Sequence, residues 1–112
     1  MPGKFKLKAT KGGKYMWNLH APNGEIILTS QGYASKHGAK NGIECVKSCA
    51  SVTTSFEHKP GKSGQDYFVM KGRNGRVIGR SEMYKTNRSL NNGIESVRKN
   101  ATRAAIEDLT RR

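Results

Sequence analysis

Phe5 through Ser51 can be laid on Phe56 through Thr102 by a shift of 51 positions without a gap, and about a third of the positions are then identical. Such self-similarity constrains the fold more than any other feature, because both halves must carry the same elements in the same order. The identical pairs include Phe5 and Phe56, Asn23-Gly24 and Asn74-Gly75, Ser30 and Ser81, and Tyr33 and Tyr84. The longest shared run is Asn41-Gly42-Ile43-Glu44, repeated as Asn92-Gly93-Ile94-Glu95. The division that follows is repeat 1 at 5–51, repeat 2 at 56–102 and a tail at 103–112, all within one compact domain. At 112 residues the chain can bury a modest core if both halves contribute to it.

Within a half, Phe5 and Leu7 alternate with Lys4, Lys6 and Lys8, the pattern of a strand with one wet face. A hairpin follows, with Asn23-Gly24 and Asn74-Gly75 predicting two-residue type I′ turns. That register would set Leu19 opposite Leu28 and give a core face of Trp17, Leu19, Ala21, Ile26 and Leu28. The second copy would use Phe68, Met70, Gly72, Val77 and Gly79. After Tyr33 the period becomes helical, with Ser35 as N-cap and Ala39, Ile43, Val46 and Ala50 on one stripe. Thr86, Leu90, Ile94, Val97 and Ala101 repeat it. Gly42 and Gly93 each cost about 1 kcal/mol in a helix, so their recurrence points to close approach of helix and sheet. Tyr33 and Tyr84 read as aromatic anchors at the hairpin-to-helix junction, with the hydroxyl bonded to backbone. The tail aligns with the start of a strand and predicts a short C-terminal strand. The class is α+β: a three-strand antiparallel sheet plus helix, duplicated about a pseudo-twofold axis.

The unit that ends in Asn92-Gly93-Ile94-Glu95-Ser96-Val97-Arg98-Lys99-Asn100-Ala101, with Gly24-Glu25-Ile26-Ile27-Leu28-Thr29-Ser30 and Ser81-Glu82-Met83-Tyr84 upstream, resembles the YegP-like family of small, mostly bacterial tandem-repeat proteins. The resemblance spans nearly the whole chain. It implies the repeated three-strand-plus-helix fold and brings no catalytic residues. Cys45 stands where the second copy has Ser96, and Ser48-Cys49 where it has Lys99-Asn100.

The chain carries 21 Lys and Arg against 8 Asp and Glu, a formal charge of +13, which favours an anionic partner. No apolar run approaches the roughly 18 residues of a membrane span, and the first residues lack the apolar stretch of a signal peptide, so a cytoplasmic protein is expected. A monomer is expected because a fused pair can absorb the twofold contact that a single copy would need between chains. Cys45 and Cys49 lie one helical turn apart, but His20, His37 and His58 fall on different elements, and neither a metal nor another cofactor is expected. Pro60-Gly61-Lys62-Ser63 lacks the upstream glycine of a phosphate-binding loop and reads as a turn. Glu44 and Glu95 have basic neighbours within a helical turn, which suits surface pairing better than acid–base catalysis. No nucleophile stands with a base and an orienting acid.

The copies differ most in their hairpins. On the expected non-core face the second carries Tyr67, Val69, Lys71, Arg73, Arg76, Ile78 and Arg80, with Arg73 opposite Arg76. The first has Met16, Asn18, His20, Pro22, Glu25, Ile27 and Thr29 there. Lys4, Lys6, Lys8, Lys11 and Lys14 add charge elsewhere. The expectation is a non-enzymatic binding module that meets RNA or DNA through Lys71, Arg73, Arg76 and Arg80, with Tyr67 as a stacking surface. The alternative is a structural or protein-interaction domain that meets an acidic protein; an enzyme ranks third.

Overall fold

A computed structural model describes residues 3–50, 55–72 and 75–110. Its elements run β1 (Lys4–Ala9), β2 (Tyr15–His20), β3 (Ile26–Ser30), α1 (Lys36–Cys49), β4 (Phe56–Pro60), β5 (Asp66–Lys71), β6 (Val77–Arg80), α2 (Asn87–Ala101) and β7 (Ala105–Asp108). The strands form one seven-stranded sheet in the order β4-β5-β6-β3-β2-β1-β7, antiparallel except for β7 beside β1. The expected α+β duplication with a short C-terminal strand is therefore present. Among the described residues no helix is long and apolar enough to cross a membrane.

The two halves join at β3 and β6 through only two ladder pairs, Thr29 with Arg80 and Ser30 with Gly79. Thr29 and Arg80 are themselves repeat mates, 51 positions apart, so the pseudo-twofold axis passes between them. Near an axis two large side chains compete for one space. Leu28 takes it: a Cβ on its mate Gly79 would stand 3.0 Å from Leu28 Cγ and 3.2 Å from the Thr29 carbonyl oxygen. Gly79→Ala is thus expected to cost about 1–3 kcal/mol by overpacking, measured by urea unfolding, whereas an unchanged midpoint would mean that the seam is slack.

One face of the sheet builds the core. Phe5, Leu7, Trp17, Leu19, Leu28, Phe68 and Met70 are fully buried under the stripes Ala39, Ile43, Val46, Ala50 and Leu90, Val97, Ala101 of the helices. Phe5 meets Trp17 edge-on at 5.4 Å, and the mate pair Phe56 and Phe68 repeats this at 5.8 Å. Ser35 and Thr86 cap the helices as expected, accepting from the Gly38 and Ser89 amides. Ser30 and Ser81 recur because each hydroxyl stands in for a ladder partner. The hydroxyl accepts from the Trp17 or Phe68 amide and donates to the next carbonyl, of Gln31 or Glu82.

The hairpins correct the expected register. Ala21 N–H bonds to Glu25 O and Gly24 N–H to Ala21 O, and Gly24 alone takes positive φ, +90°. This is a three-residue loop with a glycine bulge, one residue longer than a type I′ turn. A second irregularity restores the count, because Leu19 pairs with Leu28 while His20 pairs with Ile26, leaving Ile27 as a bulge packed into the core. Ile26 therefore lies on the open face, contrary to the alternation. The second hairpin has the same bonds, Gly72 to Arg76 and Gly75 to Gly72, and the same bulge at Ile78. Ile78 packs against the core, and Val77, expected inside, is exposed.

The glycines at mid-helix do mark close approach. A Cβ on Gly42 would stand 2.3 Å from Tyr33 Oη, and one on Gly93 would stand 2.3 Å from Tyr84 Oη. Both tyrosines are pinned by backbone bridges, to Tyr15 and Asp66. Among the described residues the Tyr33 hydroxyl finds no backbone partner. It sits beside the Trp17 indole, and neither atom has a hydrogen bond of good geometry. Burial raises the Tyr33 pKa, opposed by the indole and reinforced by Cys45; for Tyr84 burial acts first and then Glu25 and Glu82.

β7 lies along β1 through four parallel ladder pairs, with two ion pairs at its side chains. Lys36 Nζ lies 2.6 Å from Asp108 Oδ2, Lys4 lies 3.9 Å from Glu107, and Leu109 N–H bonds to Leu7 O at 2.8 Å. Lys36, then Thr110, holds the Asp108 carboxyl well below the usual carboxylate range. A depressed folded pKa means that this contribution is present above the unfolded value of about 3.9 and is lost as pH falls through the folded one. Lys36→Gln should move the Asp108 titration, followed by its carboxyl carbon shift, up toward about 3.9. No movement would mean that Lys36 does not hold the strand.

Candidate nucleic-acid interface

Because both helices pack on one side of the sheet, alternation sends every second strand residue to the other side. Lys4, Lys6 and Lys8 of β1 face the same way as Lys59 of β4, Lys71 of β5 and Arg80 of β6, as the registers require. Glu57 and Glu107 are the acids on the described strands of this face. The lysines of β1, expected to lie apart from the second hairpin, thus belong to one surface with it. The reason is the β3–β6 seam, which makes two small sheets into one.

Of the expected contact residues, the structure brings Tyr67 and Arg80 together. Both line a cleft of about 600 Å³ with Thr29, Pro60, Gly61, Lys62, Ser81, Glu82 and Met83. A second hollow of about 410 Å³ shares Tyr67, Arg80 and Thr29 and extends past Val69 and Val77. Both hollows lie at the β3–β6 seam, since each is lined by Thr29 and Arg80. Lys71 lies on the same face but is engaged by Glu57, which also holds Lys59 at 3.1 Å. Lys71 first and then Lys59 lower the Glu57 pKa, so this acid stays ionised and offsets part of their charge. Arg76 stands exposed at the hairpin end, where its carbonyl accepts from the Gly72 amide. Arg73 itself lies outside the described residues.

Among the described residues Lys62 and Arg80 join no ion pair. Lys62, Thr29 and Met83 were missed by sequence reasoning, because they come from a turn, the other repeat and the hairpin-to-helix link. Val69 and Asn18 are buried even on this face, Val69 between Glu57 and Arg80 and Asn18 between Lys6 and Thr29. Long charged side chains shelter them with their stems. In the other half the mates of Tyr67 and Met83 are Met16 and Gly32, so the aromatic and thioether walls of the cleft are not repeated there, although Lys11 matches Lys62.

The remaining candidates do not converge. Cys49 is buried and Cys45 half-buried, and no further metal-ligating side chains join them among the described residues. Glu95 pairs with Arg98 at 3.0 Å on the helix surface, as expected.

Comparison with known proteins accords with this architecture. The family model described as "Domain of unknown function (DUF1508)" matches residues 10–57 and again 62–108. A UPF0339 protein of Bordetella pertussis is 48% identical over 110 residues, covering 98% of each chain. The UPF0339 protein YegP of Yersinia pestis is 45% identical over 108 residues, 96% of each chain. The solution structure of YegP from E. coli superposes with a TM-score of 0.92 at 39% identity, covering 98% of this chain and 95% of that one. That of a UPF0339 protein from Shewanella oneidensis gives 0.92 at 37%, covering 98% and 93%. The chain belongs to the UPF0339 family, whose members YegP exemplifies and whose repeat is the DUF1508 unit.

Proposed function

We propose that this protein is a cytoplasmic, monomeric binding module, not an enzyme, whose helix-free sheet face holds the phosphate backbone of RNA or DNA. One observation supports this reading above the rest. Lys4, Lys6, Lys8 and Arg80, from both repeats, stand on one face of one sheet, where only Glu57 and Glu107 oppose them on the described strands. Cations gathered on a sheet face neutralise phosphates and need no base-specific contact. The other acidic side chains sit on the helix side, at a hairpin tip or at the cleft. A labelled oligonucleotide should bind at low salt and be released steeply as salt rises, because each contact displaces counterions. No association at low salt overturns the proposal.

A further inference from the structure

The cleft across the repeat axis has a chemistry that phosphate binding alone does not require. Its walls are the Tyr67 ring, Pro60 and the Met83 thioether, and Met83 is 48% exposed. Met83 packs against Gly61, where a Cβ would stand 2.8 Å from its Cε and 3.0 Å from its Sδ. Among the described residues no aromatic ring stacks on Tyr67. Lys62 and Arg80 supply cations at the same cleft. Thr29 Oγ1 accepts from Asn18 Nδ2 at 3.0 Å, which leaves its own proton to donate outward.

We infer that this cleft receives one unstacked base of a single-stranded nucleic acid against Tyr67 and Met83, with the adjoining phosphate on Arg80 and Lys62. The inference rests on the phosphate-binding reading and specifies its substrate class. A flat π-surface beside cations is what an unpaired nucleotide presents a need for: the ring stacks and the backbone is neutralised. Duplex bases are paired and stacked internally, so they cannot reach a ring set within a cleft. Glu82 at the rim keeps phosphate toward Arg80 and leaves the other side to base edges. The first repeat, with Met16 and Gly32 where the second has Tyr67 and Met83, lacks the ring and the thioether of this cleft.

The test uses the full chain and a fluorescein-labelled, mixed-sequence DNA of about 12 nucleotides, single-stranded or annealed to its complement, a length on the scale of a single binding module. Single strands should bind about tenfold more tightly than the duplex. Tyr67→Ala should remove about tenfold of the single-strand affinity and leave the slope of affinity against salt unchanged, because stacking displaces no counterion. Tyr67→Phe should retain the affinity, which separates stacking from a loss of fold. Arg80→Gln should instead make the slope shallower by about 0.7. Equal affinity for both DNAs, or an unchanged Tyr67→Ala protein, overturns the single-strand inference while phosphate binding stands. Failure of both DNAs to bind at low salt overturns both.

Discussion

Gly42→Ala is expected to destabilise the protein by about 2 kcal/mol, although helix propensity alone assigns the change a gain of about 1 kcal/mol. The sign is decided by what the new methyl group meets. It would stand 2.3 Å from Tyr33 Oη, 2.8 Å from Cζ and 3.2 Å from Trp17 Nε1. The ring cannot retreat freely, because the Tyr33 backbone exchanges hydrogen bonds of 2.7 and 2.8 Å with Tyr15. Either the helix lifts from the sheet or the anchor leaves its seat. Gly93→Ala should behave alike, with Tyr84 Oη at 2.3 Å and Phe68 Cε2 at 3.2 Å. Tyr33→Phe removes the closest atom, so the double variant Gly42→Ala with Tyr33→Phe should be more stable than the sum of the single effects. Urea unfolding of the four proteins reads this directly. A Gly42→Ala protein more stable than the parent would contradict the packing described.

The second large effect concerns binding. Replacing Lys6, Lys8 and Arg80 together by Gln should weaken oligonucleotide binding about a hundredfold at 0.1 M salt, since each single-strand phosphate contact carries a salt exponent of about 0.7. Lys71→Gln alone should matter less, because Glu57 already engages that lysine and offsets its charge, and Lys59 would still hold Glu57. The loss should be uniform across sequences, as expected for contacts to phosphate.

The duplication, the helix stripes and their caps were legible because each rests on local periodicity or on a side chain bonding its own backbone. Ser35 and Thr86 needed no knowledge of the rest of the chain. The hairpin tips were legible only in part. Asn-Gly suits both a two-residue turn and the longer glycine-bulge loop, and the one-residue bulge at Ile27 cancels the difference by the time Leu19 meets Leu28. Ile26-Ile27 and Val77-Ile78 are paired apolar residues, so alternation gave no sign of which one turns inward. The seam was not legible at all. Two ladder pairs about an axis leave no periodic trace, yet they bring Lys4, Lys6 and Lys8 onto the face of Arg80 and set Thr29 in the cleft with Tyr67. Gly79, expected on the core face of the second hairpin, leaves the space that Leu28 fills.

Location of charge, separated from its amount, is the most direct test. Lys6, Lys8 and Arg80 on the open face, and Lys40, Lys47 and Lys99 on the helices, can each be replaced by Gln with the same change in net charge. Single-stranded oligonucleotide binding should then be titrated across a salt series for both variants and the parent. The open-face variant is predicted to lose about a hundredfold in affinity and about 2 in salt slope, while the helix variant stays within about threefold of the parent. Equal losses in the two variants would show that net charge alone attracts the ligand, and would contradict an interface on the open face of the sheet.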